Sequence, residues 1–316
     1  MLSRPSHLSP GDTVGIVAPA SPPPDPKSLD RGVAVLEALG FRVRVAPHVR
    51  RRHGFLAGSD RERAGDLMKF FVDPKVKAIM CVRGGYGSGR LLRLLDYKTI
   101  RSHTKIFIGY SDITALHCAL RSRSGLVTFH GPMAGADFAE LGLPEFTTQS
   151  FLRTVAQPAA PGSICQGYDG ETVKILRRGR AMGRLVGGNL SLVCVSLGTP
   201  YQPPFRKNIL CFEDTGEAPY RIDRMLTQLL QAGLLQQVVG VAVGIHRNCQ
   251  DPKAGAGEYR QSLEDVLRER LRPLKVPVVT GLPFGHVRCN ATLPLGARAT
   301  LDADHGDLRI TEAAVV

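Results

Sequence analysis

The first 130 residues alternate between short apolar runs and amphipathic stretches, and that order leaves very few folds open. "DTVGIVAPAS" reads as strand, "KSLDRGVAVLEALG" as helix, "FRVRVAP" as strand, "DRERAGDLMKFFVD" as helix and "VKAIMCVRGG" as strand. A helix at "SGRLLRLLD" and a further strand at "KIFIGY" follow. Strand and helix in regular succession predict a parallel sheet flanked by helices. In such sheets the loops at the carboxyl ends of the strands gather the ligand site. Three of those loops stand out: "APASPP", "RGGYGSGR" and "GYSD".

The third loop is the most informative. Lys105 to Tyr110 is short and β-rich, whereas Ile113, Leu116 and Leu120 recur at i, i+3 and i+7, the spacing of one helix face. The chain must therefore turn sharply at Ser111. A strand-to-helix turn of this kind can hold a hydroxyl above the sheet beside the free N–H groups of a helix start, as a nucleophile elbow does. Ser111 could equally serve as a helix cap, because Ser and Asp are favoured there. The glycine loop also has more than one reading. Gly84, Gly85, Gly87 and Gly89 could wrap a phosphate, form a plain tight turn, or let Gly85 bring a backbone N–H to a reacting carbonyl.

Beyond residue 145 the pattern changes. A helix at "EFTTQSFLRTVAQ" gives way to the Pro- and Gly-containing "PAAPGSICQGYDGE", which reads as a connector. We expect an N-terminal domain over residues 1–160, a connector over 161–180 and a C-terminal domain over 181–316. The latter should hold a strand at "NILCFED", a helix at "PYRIDRMLTQLLQAGLL", strands at "VVGVAVGIH" and "VPVVTGLPFGH", a charged helix around "YRQSLEDVLRERL" and two short strands near the end. Ile222, Met225, Leu226, Leu229 and Leu230 form one apolar stripe, which marks core.

A serine nucleophile requires a base, a carboxylate that orients it and donors for the oxyanion. His130, His246 and His286 each lie at or just beyond an expected strand end, and the residues alone do not choose among them. Glu213, Asp214 and Glu217 follow a strand and are candidates for the carboxylate. Asp112 is set aside for that role, since a neighbour of the nucleophile on a tight turn points its side chain elsewhere; its backbone N–H suits the oxyanion.

Composition narrows the classes of function. The 41 Lys and Arg against 28 Asp and Glu give a net charge of +13, yet these residues are dispersed, and no basic tract is interleaved with aromatics for stacking on bases. Nucleic acid is therefore not expected as a partner. No run approaches the roughly 20 apolar residues of a membrane span, and the first residues are broken by Pro, Asp and Gly, so we expect a cytoplasmic protein that does not engage membranes. Seven scattered cysteines without a C-x-x-C pair predict neither a disulfide framework nor a zinc site.

Taken in order, "VGIVAPASPP", "RGGYGSGRLL", "GYSDITALH", "TFHGPM", "GRLVGGNLSLVCVSLGTPY", "FEDTGEAPYRIDRMLTQL" and "GLPFGHVRCNATLPLGARATLD" resemble the motifs of the LD-carboxypeptidases, the serine peptidases that include muramoyl-tetrapeptide carboxypeptidases and microcin C immunity peptidases. The resemblance covers nearly the whole chain. It implies an α/β protein with an N-terminal parallel-sheet, flavodoxin-like domain and a C-terminal mixed α/β domain. It also implies a triad of Ser111, Glu213 and His286, with the main-chain N–H groups of Gly85 and Asp112 as oxyanion hole and neither metal nor organic cofactor. The implied substrate is a murein-derived tetrapeptide that loses its terminal D-alanine during peptidoglycan recycling, and the implied assembly is a homodimer. Two alternatives are a microcin C immunity-type peptidase of the same family and, in another class, a nucleotide-binding regulatory protein that uses "RGGYGSGR" for phosphate.

Overall fold

The computed structural model describes residues 2–250 and 261–316. Five strands, β1 (Thr13–Val17), β2 (Arg42–Val45), β3 (Val76–Cys81), β4 (Ile106–Gly109) and β5 (Thr128–His130), form a parallel sheet in the order β2-β1-β3-β4-β5. That is the flavodoxin-like order, with its topological switch point between β1 and β3. The connecting helices are α1 (Pro26–Ala38), α2 (Asp60–Val72), α3 (Tyr97–Ser102) and α4 (Thr114–Ala119), with α5 (Glu145–Val155) after β5. Local signals set the boundaries. Asp25 caps α1, and Ser59 with Glu62 forms a reciprocal capping box at the start of α2.

The second sheet has eight strands in the order β6-β14-β13-β8-β9-β10-β11-β7. Its members are β6 (Gly162–Ser163), β7 (Lys174–Arg177), β8 (Arg180–Asn189), β9 (Ile209–Glu213), β10 (Gly240–Gly244), β11 (Val278–Leu282), β13 (Arg298–Asp302) and β14 (Asp307–Ile310). Strands β8 to β11 are parallel and the outer ones antiparallel, so the sheet is mixed. Successive residues of β9 point to opposite faces. Ile209 and Cys211 join one apolar cluster, whereas Leu210 and Phe212 join the other, under α6 (Leu190–Val195), α7 (Pro219–Gln231) and α8 (Leu263–Leu271). The expected stripe on α7 faces this second cluster, with Ile222, Leu226 and Leu229 fully buried and Met225 and Leu230 packed at its margin. Residues 259–260 of the segment read as a charged helix lie outside the described residues.

The two sheets are not separate beads. Strand β12 (Leu293–Leu295) crosses back to pair antiparallel with β5 at the edge of the first sheet. Ala314 and Val315 are buried in the first sheet's core, and the Val316 N–H donates to the Pro5 carbonyl at 2.9 Å. The stretch 161–180 supplies β6 and β7, the two edge strands of the second sheet. One expected helix takes a tighter form. Ser88–Leu94 is a 3-10 helix, whose three-residue period stacks Ser88 directly above Leu91, both fully buried.

Candidate active site

Strand β4 delivers Tyr110 in an extended conformation, φ −152° and ψ −170°, and the chain then reverses through Ser111 at φ +65°. A left-handed backbone is sterically unfavourable for a serine, and residues strained in this way cluster at functional turns. Ser111 opens a single 3-10 turn that runs into α4. Ile113, Leu116 and Leu120 are fully buried and anchor it. No side-chain cap is formed at the start of this helix, so Ser111 does not act as its N-cap.

The glycine loop closes over this turn. A Cβ on Gly84 would lie 2.8 Å from Ser111 Cβ, 3.0 Å from its Oγ and 3.3 Å from the Asp112 nitrogen, so only glycine allows the approach. Gly85, at φ +105°, follows, and no hydrogen bond within the described residues engages its N–H. Ser21, on the loop after β1, fixes the arrangement by donating its N–H to the Gly84 carbonyl at 3.3 Å and accepting the Tyr86 N–H on its Oγ at 3.2 Å. The Asp112 side chain points away from Ser111, as expected. It accepts the Ser88 N–H at 2.8 Å, while Ser88 Oγ donates to the Asp112 carbonyl at 2.6 Å. A carboxylate thus already occupies the helix start that a phosphate would need, which counts against the nucleotide reading of this loop.

From the second sheet, Glu213 at the end of β9 and His286 just beyond β11 meet: His286 Nδ1 donates to Glu213 Oε2 at 2.6 Å. Glu213 is completely buried and the His286 side chain 19% exposed. Burial works against the charge of Glu213, but His286 and His130 outweigh it and hold the carboxyl well below the usual range. Burial likewise opposes a charge on His286, and Glu213 overcomes it, raising the imidazole above its ordinary value. With Nδ1 bound to Glu213, Nε2 is the nitrogen left for proton transfer.

Tyr110, adjacent to Ser111, links the two halves: its ring meets that of His286 edge-on at 5.0 Å between centroids. Its hydroxyl donates to Asp137 Oδ1 at 3.3 Å. Asn290 donates to the same oxygen at 3.3 Å and accepts the Gly285 N–H at 3.1 Å, which orients the turn before His286. Asn189, at the end of β8, donates its backbone N–H to Thr114 Oγ1 at 2.9 Å and so ties the second sheet to the helix behind Ser111.

Of the competing residues, His246, Asp214 and Glu217 are engaged elsewhere. His246 bonds the Gly244 carbonyl through Nδ1 at 3.1 Å and packs edge-on against Phe212. Asp214 is consumed by Asn189 Nδ2, Ser191 and the Thr215 N–H, and Glu217 pairs with Arg221. His130 is fully buried, with its Nε2 3.8 Å from Glu213 Oε1. Sequence reasoning passed over Tyr110, Asp137, Asn290 and Ser21 as site residues. Only Ser21 carried a signal, its place in a loop at the switch point. Among the described residues, no group of three or more His, Cys, Asp or Glu could hold a metal ion, and all seven cysteines are free.

Models of the LD-carboxypeptidase N-terminal and C-terminal domains match residues 14–131 and 182–301. The chain belongs to the LD-carboxypeptidase family. Among its relatives, the probable murein peptide carboxypeptidase of Bacillus subtilis (strain 168) is 42% identical over 95% of this chain and 91% of its own length. The crystal structure of muramoyltetrapeptide carboxypeptidase from Oxalobacter formigenes superposes with a TM-score of 0.82 at 34% identity, covering 95% of this chain and 99% of that one. The microcin C7 self-immunity protein MccF, known from Escherichia coli, in complex with aspartyl sulfamoyl adenosine, gives a TM-score of 0.89 at 27% identity, covering 99% and 100%. Like its family, the chain is a serine-type carboxypeptidase. Among the described residues, no helix is long and apolar enough to cross a membrane.

Proposed function

We propose that this LD-carboxypeptidase removes the terminal D-alanine from murein tetrapeptides through Ser111, His286 and Glu213. The observation that carries the reading is the 2.6 Å bond from His286 to the buried Glu213, made by a ring that packs against the residue preceding Ser111. In this mechanism His286 Nε2 accepts the Ser111 proton as Oγ attacks the carbonyl carbon. Glu213 holds the tautomer and stabilises the imidazolium, and the N–H groups of Gly85 and Asp112 bind the oxyanion. His286 then returns the proton to the departing amine, and water hydrolyses the acyl-enzyme by the same route.

Since His286 protonates the leaving amine, the leaving group lies on its side of the site. A cavity of about 130 Å³ opens there, bordered by Tyr110, Asp137, Arg247, His286 and Arg288. Arg288 is engaged by Glu140 and the Leu141 carbonyl. Arg247 has no ion pair among the described residues and suits the free carboxylate of an alanine. The cavity is well below the roughly 300–1,000 Å³ of pockets for drug-sized ligands, which favours alanine over a nucleotide as the leaving group. We further propose a cytoplasmic, homodimeric enzyme acting in peptidoglycan recycling, with the nucleophile on an N-terminal domain (1–160) and the acid–base pair on a C-terminal one (181–316), joined by 161–180.

Mass spectrometry of defined muropeptides tests the reading. We expect release of one alanine from the tetrapeptide, little action on the pentapeptide, whose last bond joins two D-residues, and none by folded Ser111→Ala enzyme. Preferential cleavage of an aminoacyl sulfamoyl adenosine would instead place the chain with the immunity peptidases.

A further inference from the structure

Glu213 is completely buried, yet only one of its carboxylate oxygens has a hydrogen-bond partner among the described residues. Oε2 takes the His286 N–H, and Oε1 takes none. An ionised oxygen left bare in the interior is costly and rarely tolerated. Facing it is His130, whose two ring nitrogens are also buried and without partners. His130 Nε2 stands 3.8 Å from Glu213 Oε1. That gap is less than an ångström beyond a hydrogen bond and too narrow for a bridging water, whose two bonds, meeting near the tetrahedral angle, span about 4.5 Å. A donor and an acceptor that each lack a partner thus lie side by side.

The imidazole is well held. His130 ends β5, where its backbone pairs with Gly109 of β4 and Leu293 of β12. Its ring lies 5.6 Å from that of Tyr110 and 5.9 Å, edge-on, from Phe284. The other titratable groups near this cluster are His117 on α4, Tyr110 and Asp137 beside β4, His246 beyond β10, and Asp214 and His286 around Glu213. His117 is already bonded to the Gly109 carbonyl, His246 to the Gly244 carbonyl, and Asp214 to the α6 start. Of these titratable groups, His130 is the donor left for Oε1 among the described residues.

We propose that His130 is a positioning residue that donates to the second oxygen of Glu213, so that the triad carboxylate is gripped by one histidine on each oxygen. The grip fixes the plane of the carboxylate and thereby the direction in which His286 presents Nε2 to Ser111. It also draws charge from the bond to His286 and so limits how far Glu213 raises the proton affinity of that imidazole. The inference rests on the Ser111–His286–Glu213 reading.

The test compares His130→Leu, which keeps bulk but no donor, with His130→Gln, whose amide replaces the N–H. In the leucine variant we expect kcat on tetrapeptide to fall roughly 10- to 100-fold, in line with a lost orienting contact, with KM changed less than about threefold and the acid limb of kcat/KM moved to higher pH. The far-downfield proton NMR signal of the His286 Nδ1–H should shift with it, a readout that needs no substrate. Glutamine should restore most of the rate at an unchanged melting temperature. A folded leucine variant with wild-type kcat, pH profile and proton shift overturns the proposal, as does a folded glutamine variant no better than leucine. Glu213→Gln separates the two levels: if it is fully active the triad itself is wrong, whereas an inactive Glu213→Gln beside an unaffected His130→Leu refutes His130 alone.

Discussion

At the scale of single residues, the proposed triad makes the His286–Glu213 pair the source of both rate and pH response. Glutamine at 213 keeps the shape but loses the charge, and by analogy with other triads it should lower kcat about 10⁴-fold. Because Glu213 raises the proton affinity of His286, the acid limb of kcat/KM should lie above the ordinary histidine value of about 6.5. The same shifts act on stability. The raised His286 contributes fully below about pH 6.5 and loses that contribution as pH rises through its folded value. The lowered Glu213 contributes above about pH 4.3 and fades as pH falls through its folded value. Between those limits the pair supports the fold most, so the melting-temperature difference between wild type and Glu213→Gln should be largest there. Arg247→Ala tests the carboxylate site: tetrapeptide kcat/KM should drop roughly 10²-fold, and the variant should no longer distinguish free from amidated substrate. Persistent discrimination would assign that contact to another residue.

At the scale of elements, the proposed catalytic residues lie on turns, and the turns explain what the sequence could and could not disclose. The alternation of β1 to β4 with their helices was legible because each strand is a buried run and each helix an amphipathic one. The sharp turn at Ser111 was legible too, because β4 ends abruptly at a glycine followed by Tyr-Ser-Asp. Strand β8 was missed: only its last five residues are buried, and its first half reads "RAMGR". Strand β12, "LPL", is too short for any period and exists only because β5 offers it an edge. His286 could not be told from His246 by position, since both follow parallel strands. The distinction lies in Gly285, at φ +110°, where an added Cβ would sit 2.6 Å from Glu213 Cγ. Gly285→Ala should therefore cost about 1–3 kcal/mol of stability and, by pushing Glu213 from His286, far more in kcat than in KM. An alanine variant that lost stability but kept its turnover would show that the turn tolerates the shift.

At the scale of the whole molecule, the proposed site draws on two sheets, with Ser111, Gly85 and Asp112 at the first and Glu213 and His286 at the second. Asn189, bonded to Thr114, and Gly188, where a Cβ would lie 2.6 Å from Thr114 Oγ1, hold the second sheet against the nucleophile's helix. The crossing of β12 and the burial of Ala314 and Val315 in the first core add a constraint of a temporal kind. A ribosome that has finished residue 130 has made every parallel strand of the first sheet, yet the edge strand and the residues that seal its core are still more than 160 residues from being translated. The nascent elbow must wait, incompletely sealed, until the second sheet has emerged. Removal of residues 314–316 should accordingly expose the first sheet to limited proteolysis ahead of the second, and peptidase activity should arise only once residues 293–315 are in place, never from a stalled half.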